Sequence, residues 1–319
     1  MHIVFSIALL VLGFVLLIKG ADVFVDGAST TAENFKVSKM LIGLTIIAFG
    51  TSAPEFAVSM SALASGSSDM VLGNVIGSCI TNILLILGVA AIIRPIKIKD
   101  NTIKKELPLC MLISALLAVL LLDNVIGSGD NLVTRADAIV MLLFFAVFLY
   151  YLITLAKQSK ENKETSKPKY GLMRSIIFVV LGLAGIVIGS ELVVNSATDI
   201  AEAVGLSERV IALTIIAFGT SLPELVTTIV ASKKGEQELV VGNIIGSNIF
   251  NICVVLAVPV LIFGTVAAVS FSVLDLVMLV FSAVLLFAFS FTTKRVINRA
   301  EGAVLVLLFC AYYAAILIA

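Results

Sequence analysis

Two glutamates lie inside stretches otherwise apolar enough to cross a membrane: Glu55 ends LTIIAFGTSAPE (44–55), and Glu224 ends LTIIAFGTSLPE (213–224). A carboxylate in hydrocarbon is unfavourable, so such a residue marks an ion or substrate site by default. Here one short segment supplies it twice. In each copy glycine loosens the helix, and Pro54 or Pro223 lacks an N–H and clashes with the carbonyl four residues back, near Gly50 or Gly219. Carbonyls freed by the break are tolerated where they line a cavity, and a carbonyl is a hard ligand for a cation. Thr51 and Glu55, four apart, share a helical face, as do Thr220 and Glu224.

A second pair of segments, GNVIGSCITN and GNIIGSNIFN, adds polar stripes. Asn74, Ser78 and Asn82 recur at intervals of four, and Asn243, Ser247 and Asn251 repeat them. Gly73, Gly77, Gly242 and Gly246 are expected to keep these helices slim, so that the stripes reach the carboxylates. The sum is an oxygen-only cage with two negative charges. It suits Na+ or Ca2+, disfavours zinc, copper or iron, and fits Mg2+ least of the hard cations, since Mg2+ sheds its waters reluctantly. Two carboxylates neutralise one Ca2+, or two Na+ with others held by neutral oxygens. One cage serving both ions makes their occupancy mutually exclusive.

The elements that position these groups follow from composition. The chain has 319 residues, of which 60% are hydrophobic and 13% charged, with a mean hydropathy of +1.17, which is an integral membrane composition. Stretches long enough to span a bilayer occur near 3–24, 38–64, 70–92, 107–123, 136–156, 173–195, 207–232, 238–263, 271–291 and 301–319. The first is expected to be a retained span, since it lacks a basic leader region and runs too long for a signal peptide. Given these ten spans, the loops on one side carry every Lys and Arg except Arg135 and Arg209. The positive-inside rule makes that side cytoplasmic and puts both termini outside, in the plasma membrane of the cell. The balanced net charge of zero points to no nucleic acid, and no protein partner is evident.

Adding 169 to residues 13–90 aligns the halves without a gap, and from 41 to 59 twelve of nineteen positions are identical, too many for chance. Five spans per half is an odd number, so the second copy enters from the opposite face. The expected fold is all-α integral membrane, ten transmembrane helices as two inverted five-helix repeats, 1–156 and 173–319, joined by a polar cytoplasmic linker at 157–172. Secondary transporters built this way bind substrate near the bilayer midplane, between broken helices.

The paired GTSxPE segments with their GNVIGSCITN and GNIIGSNIFN partners resemble the two alpha-repeats of the calcium/cation antiporter superfamily, and most closely its prokaryotic sodium/calcium exchanger branch. The resemblance covers nearly the whole chain. It implies calcium ligation by Glu55 and Glu224 with backbone oxygens at Thr51 and Thr220. It implies sodium ligation by the Ala48 and Ala217 carbonyls, Ser52, Ser221, Ser78 and Ser247, with Asn82 and Asn251 completing the centre. Some members, potassium-dependent ones included, carry Asp where this chain has Asn251, so the amide resembles the potassium-independent type.

The expected activity is therefore exchange of Na+ for Ca2+ by alternating access, with Ca2+ extruded. Its rivals are a proton/calcium exchanger and, less well matched to a duplicated inverted fold, a cation channel. No enzyme is expected, because no nucleophile and base pair is evident and His2 is the single histidine; no cofactor is implied beyond the transported ions. Cys79, Cys110, Cys253 and Cys310 show no CxxC spacing and are expected as packed thiols. Asp22 and Glu191, near span ends, are expected to be solvated or helix-capping, and Asp69 and Glu238 to be exposed charges at the mouths of the third and eighth spans.

Overall fold

The computed structural model describes residues 2–122, 131–161, 168–203, 217–267, 273–292 and 295–318. Arg209, Lys294, linker residues 162–167 and the opening of the seventh stretch (207–216) lie outside them. Among the described residues the fold is all-α apart from four two-residue strands. The helices are α1 (His2–Phe35), α2 (Lys39–Thr51), α3 (Ala53–Ala64), α4 (Ser68–Ile93), α5 (Leu107–Leu120), α6 (Arg135–Glu161) and α7 (Leu172–Ala203). They continue with α8 (Leu222–Lys234), preceded by a stub at Ala217–Gly219, then α9 (Gln237–Phe263), α10 (Val273–Phe289) and α11 (Arg299–Ile318).

Six of these, α1, α4, α6, α7, α9 and α11, are long and apolar enough to cross a membrane, and α2 with α3 makes a seventh if the bent pair is one span. The other sequence-read stretches fall short for local reasons. At 102–106 a π turn carrying Lys104, Lys105 and Glu106 precedes the 14-residue α5, α10 has 17 residues, and α8 is described only from its break onward. Helices α4 and α9 form the centre, with 72% and 78% of their apolar windows buried, whereas α1 and α7 bury 28% and present Val11, Val15, Leu181 and Ile188 outward.

Helix α1 runs past residue 24 to Phe35, and Lys19 sits exposed on that helix and not in a loop, where the charge partition had counted it. Small residues explain the extension. A Cβ on Gly20 would lie 2.8 Å from the Gly185 carbonyl carbon, and one on Gly27 2.7 Å from the Val179 amide nitrogen. Gly13 meets Gly189 in the same seam, so α1 and α7 pack antiparallel at backbone distance. The polar residues that made this stretch look like a loop pair with the end of α8 and the turn after it: Asp22 and Asp26 with Lys234 at 2.8 and 2.5 Å, and Ser29 with Glu236 at 2.9 Å.

Two antiparallel clasps tie the first half of the chain to the second. Strand β1 (Ile96–Lys97) pairs with β4 (Val296–Ile297), and β2 (Leu132–Val133) pairs with β3 (Val266–Ala267). Each joins the end of a central helix, α4 or α9, to the start of α11 or α6.

At Gly182 a Cβ would fall 2.5 Å from the Phe24 amide nitrogen, while at Gly77 nothing lies within 4 Å. Gly182→Val is therefore expected to destabilise the protein by at least about 1–3 kcal/mol, the usual range for overpacking. Gly77→Ala should melt like the parent. Thermal melting in detergent measures both, and a Gly182→Val protein as stable as the parent would refute the close α1–α7 seam.

Candidate cation site

Glu55 and Glu224 open α3 and α8, each just beyond a helix break with a proline in the first turn. The breaks share one backbone geometry. Ser52 has φ −84°, ψ 8° and Ser221 φ −86°, ψ 2°, and α2 meets α3 at 44°. The expected break thus falls at the serine before the proline, two residues after Gly50 and Gly219. Both carboxylates are 1% exposed.

The polar stripes of α4 and α9 reach these breaks both within each half and across to the other. Asn74 donates to the Glu55 carbonyl and to Ser59 Oγ, both at 2.9 Å, and its partner in the repeat, Asn243, donates to Thr228 Oγ1 at 3.0 Å. Thr51 Oγ1 approaches Asn243 Oδ1 at 3.3 Å, and Thr220 Oγ1 approaches Asn74 Oδ1 at 3.5 Å. Ser221 meets Ser78 at 3.5 Å, and Ser247 lies 3.5 Å from the Ala48 carbonyl. The two asparagines a turn further on, Asn82 and Asn251, begin π turns that pack against α8 and α3, the helices of Glu224 and Glu55. Each half therefore completes the other's carboxylate wall. Ala217 opens the stub at Ala217–Gly219, at the edge of the described residues.

What these atoms leave undone is as informative as what they bond. Glu224 Oε1 accepts from Ser52 Oγ at 2.9 Å, but Glu224 Oε2 and both oxygens of Glu55 have no hydrogen-bond partner among the described residues. Asn82 Oδ1 and both ends of the Asn251 amide are likewise buried and unpartnered. Buried polar atoms are normally bonded, and carboxylates most of all, so this many orphans in one place marks a site whose partner is not protein. Every donor here is oxygen. Among the described residues no cluster of three His, Cys, Asp or Glu exists, so the neutral oxygens must supply most of any coordination shell, as suits a hard cation.

Sequence reasoning missed several contributors. Ser190 of α7 donates to the Gly219 carbonyl at 3.1 Å, satisfying a group freed by the second break. Thr227, one turn from Glu224 on α8, points an unpartnered buried hydroxyl inward. Asn248 bonds Asn82 at 3.0 Å. A serine in the apolar GSEL run and a threonine three residues past the glutamate were the available signals. Gly242 and Gly246 make backbone-distance contacts as expected, with Gly43 and with Leu44 and Ala48, but Gly77 faces open space and keeps no helix slim. Asp22 is half exposed and ion-paired, and Glu238 pairs with Lys99 at 2.5 Å, so neither takes part in the cage.

The profile described as sodium/calcium exchanger protein matches this chain twice, over residues 5–154 and 174–318. The putative antiporter CaxA of Alkalimonas amylolytica is 42% identical over 309 residues, covering 94% of this chain and 95% of that protein. The sodium/calcium exchanger MaX1 of Methanosarcina acetivorans is 34% identical over 339 residues, covering 95% and 96%. A solved structure of the sodium-calcium exchanger NCX_Mj, soaked with zero Na+ and Ca2+, superposes with a TM-score of 0.85 at 34% identity, covering 98% of this chain and 99% of that one.

A site of this kind is stabilised by its cation. Ca2+ at about 100 times its dissociation constant should add roughly 2.7 kcal/mol to stability, seen as a rise in melting temperature over a chelator control. Glu55→Gln should lose that rise while remaining folded, since it removes a buried charge. A Glu55→Gln protein with the parent's Ca2+-dependent rise would take Glu55 out of the site.

Proposed function

The chain belongs to the sodium/calcium exchanger protein family and exchanges Na+ for Ca2+ across a membrane, and from that premise we propose that Glu55 and Glu224 hold the two ions by turns. Both ions are its transported substrates, and the protein is multi-pass. In this reading Ca2+ takes the two carboxylates with the Thr51 and Thr220 carbonyls. Na+ takes the Ala48 and Ala217 carbonyls, Ser52, Ser221, Ser78 and Ser247, and Asn82 and Asn251 complete the centre. The observation that carries it is the set of three unpartnered carboxylate oxygens, buried to 1% and ringed by hydroxyls and amides.

Exchange follows from charge. One Ca2+ cancels two carboxylates, and so do two Na+, but a site holding neither leaves two like charges uncompensated in a medium that solvates them poorly. That cost opposes the switch between the two open states unless an ion is aboard. Ser52, whose hydroxyl bonds Glu224, is poised to turn its lone pairs to an arriving ion. Its repeat partner Ser221 lies against Ser78, leaving Glu55 the barer of the two acids.

Ten spans in two inverted halves, 1–156 and 173–319 about a linker at 157–172, is the architecture this mechanism uses. Three features support it. Repeat partners Gly20 and Gly189 lie on helices packed antiparallel, the two breaks share their backbone angles, and the clasps exchange under the repeat. The basic side is cytoplasmic and the termini outside, in the plasma membrane. There an inward Na+ gradient, aided by about 2.3 kcal/mol per charge per 100 mV, drives Ca2+ out.

In proteoliposomes, an imposed Na+ gradient alone should drive Ca2+ against its own gradient, and K+ or pH gradients alone should not. Glu55→Gln and Glu224→Gln should each reduce that flux to background while inserting normally. Near-parental flux in either variant, or flux driven by pH alone, would overturn the proposal.

A further inference from the structure

The two asparagines that the repeat makes equivalent are not equivalent in their surroundings. Asn82 donates its Nδ2 to Asn248 Oδ1 at 3.0 Å and leaves its own Oδ1 buried and unpartnered. Asn251 has neither end bonded. The cause lies one turn back in each helix. Residue 248 corresponds to residue 79 under the shift of 169, and there the first half has a cysteine. Asn248 and Cys79 meet across the pseudo-two-fold: Asn248 Nδ2 donates to the Cys79 carbonyl at 3.2 Å, and Cys79 Sγ points at the Asn248 carbonyl at 3.8 Å. Asn248 is fully buried and pinned at its nitrogen, so its oxygen faces Asn82 in one fixed orientation. A thiol, a weak donor and weak acceptor, offers Asn251 nothing comparable.

We infer that Asn248 is a positioning residue for sodium: it holds the Asn82 amide by its nitrogen so that the amide oxygen is the end presented to the ion. An amide beside a cation must show oxygen, because its NH2 end repels positive charge. Fixing the flip in advance removes that cost for Asn82, whereas no hydrogen bond from the described residues fixes the flip of Asn251. Na+ depends on this more than Ca2+ does, since Ca2+ is held chiefly by the two carboxylates while part of the Na+ load rests on neutral oxygens. The inference rests on the proposed cage and adds a residue that touches no ion.

The test titrates Na+ against bound radioactive Ca2+ on the purified full chain. Asn82→Ala and Asn248→Ala should each raise the Na+ concentration for half-displacement by roughly tenfold, the low end of what losing a ligand-orienting hydrogen bond costs a metal site. In Asn248→Ala, Ca2+ binding without Na+ should stay near the parent's. Because Asn248 acts through Asn82, the double variant should be no worse than either single one. A merely structural role would weaken both ions together and leave the displacement ratio unchanged. A parental midpoint in Asn248→Ala beside an impaired Asn82→Ala overturns the inference and leaves the cage standing, as do losses that multiply in the double variant. An unimpaired Asn82→Ala removes Asn82 from the cage itself. Should Asn248→Ala fail to fold, Asn248→Cys, which gives the second half the first half's residue, is judged by the same criteria.

Discussion

The structure is organised by two buried carboxylates at helix breaks that meet, Ser52 of one break bonding Glu224 of the other, in a region too apolar to solvate them. No Lys or Arg reaches Glu55 or Glu224 among the described residues; the ion pairs there, such as Lys39 with Glu236, Lys169 with Asp26 and Lys99 with Glu238, all lie toward the helix ends. Two like charges in a low-dielectric interior repel strongly and have lost their water. Neutral oxygens surround them, and in the proposed function a mobile cation supplies the remaining compensation. The helix breaks, the amide and hydroxyl stripes and the exclusion of fixed cations are responses to that single constraint.

The same constraint explains the packing. For one half's stripe to reach the other half's break, the central helices must cross at backbone distance, which Gly242 achieves against Gly43 and Gly246 against Leu44 and Ala48. The outer pair α1 and α7 pack on each other through glycine and touch α8 and the Gly219 carbonyl, through Ser190, from outside the cage. Salt bridges from Lys234 to Asp22 and Asp26 hold the far end of α1 against α8, so the chain's few strong ion pairs sit where water can reach them.

Much of this was legible in the sequence because it was written twice. A glutamate after GTSxP is informative once and far more so at an interval matched by eleven other residues between 41 and 59, and the proline states where the helix must break. What escaped was whatever depends on partners distant in sequence. The polar run from Asp22 to Ser29 looked like a span end because nothing in it shows that Lys234 and Glu236 will neutralise it. Gly77 and Gly246 are identical in type and repeat position, yet only one meets a neighbour. Asn82 and Asn251 looked interchangeable for the same reason. Their difference lies at Cys79 and Asn248, a position where the repeat fails to match.

The most direct test of one shared site is to equilibrate the purified protein with radioactive Ca2+ at saturation and count the Ca2+ retained as Na+ is raised without limit. If both ions need the same two carboxylates, retained Ca2+ falls to zero, and each increase in Ca2+ pushes the Na+ midpoint higher. A plateau at which Ca2+ remains bound however much Na+ is added would mean separate sites, and would contradict the account at its centre.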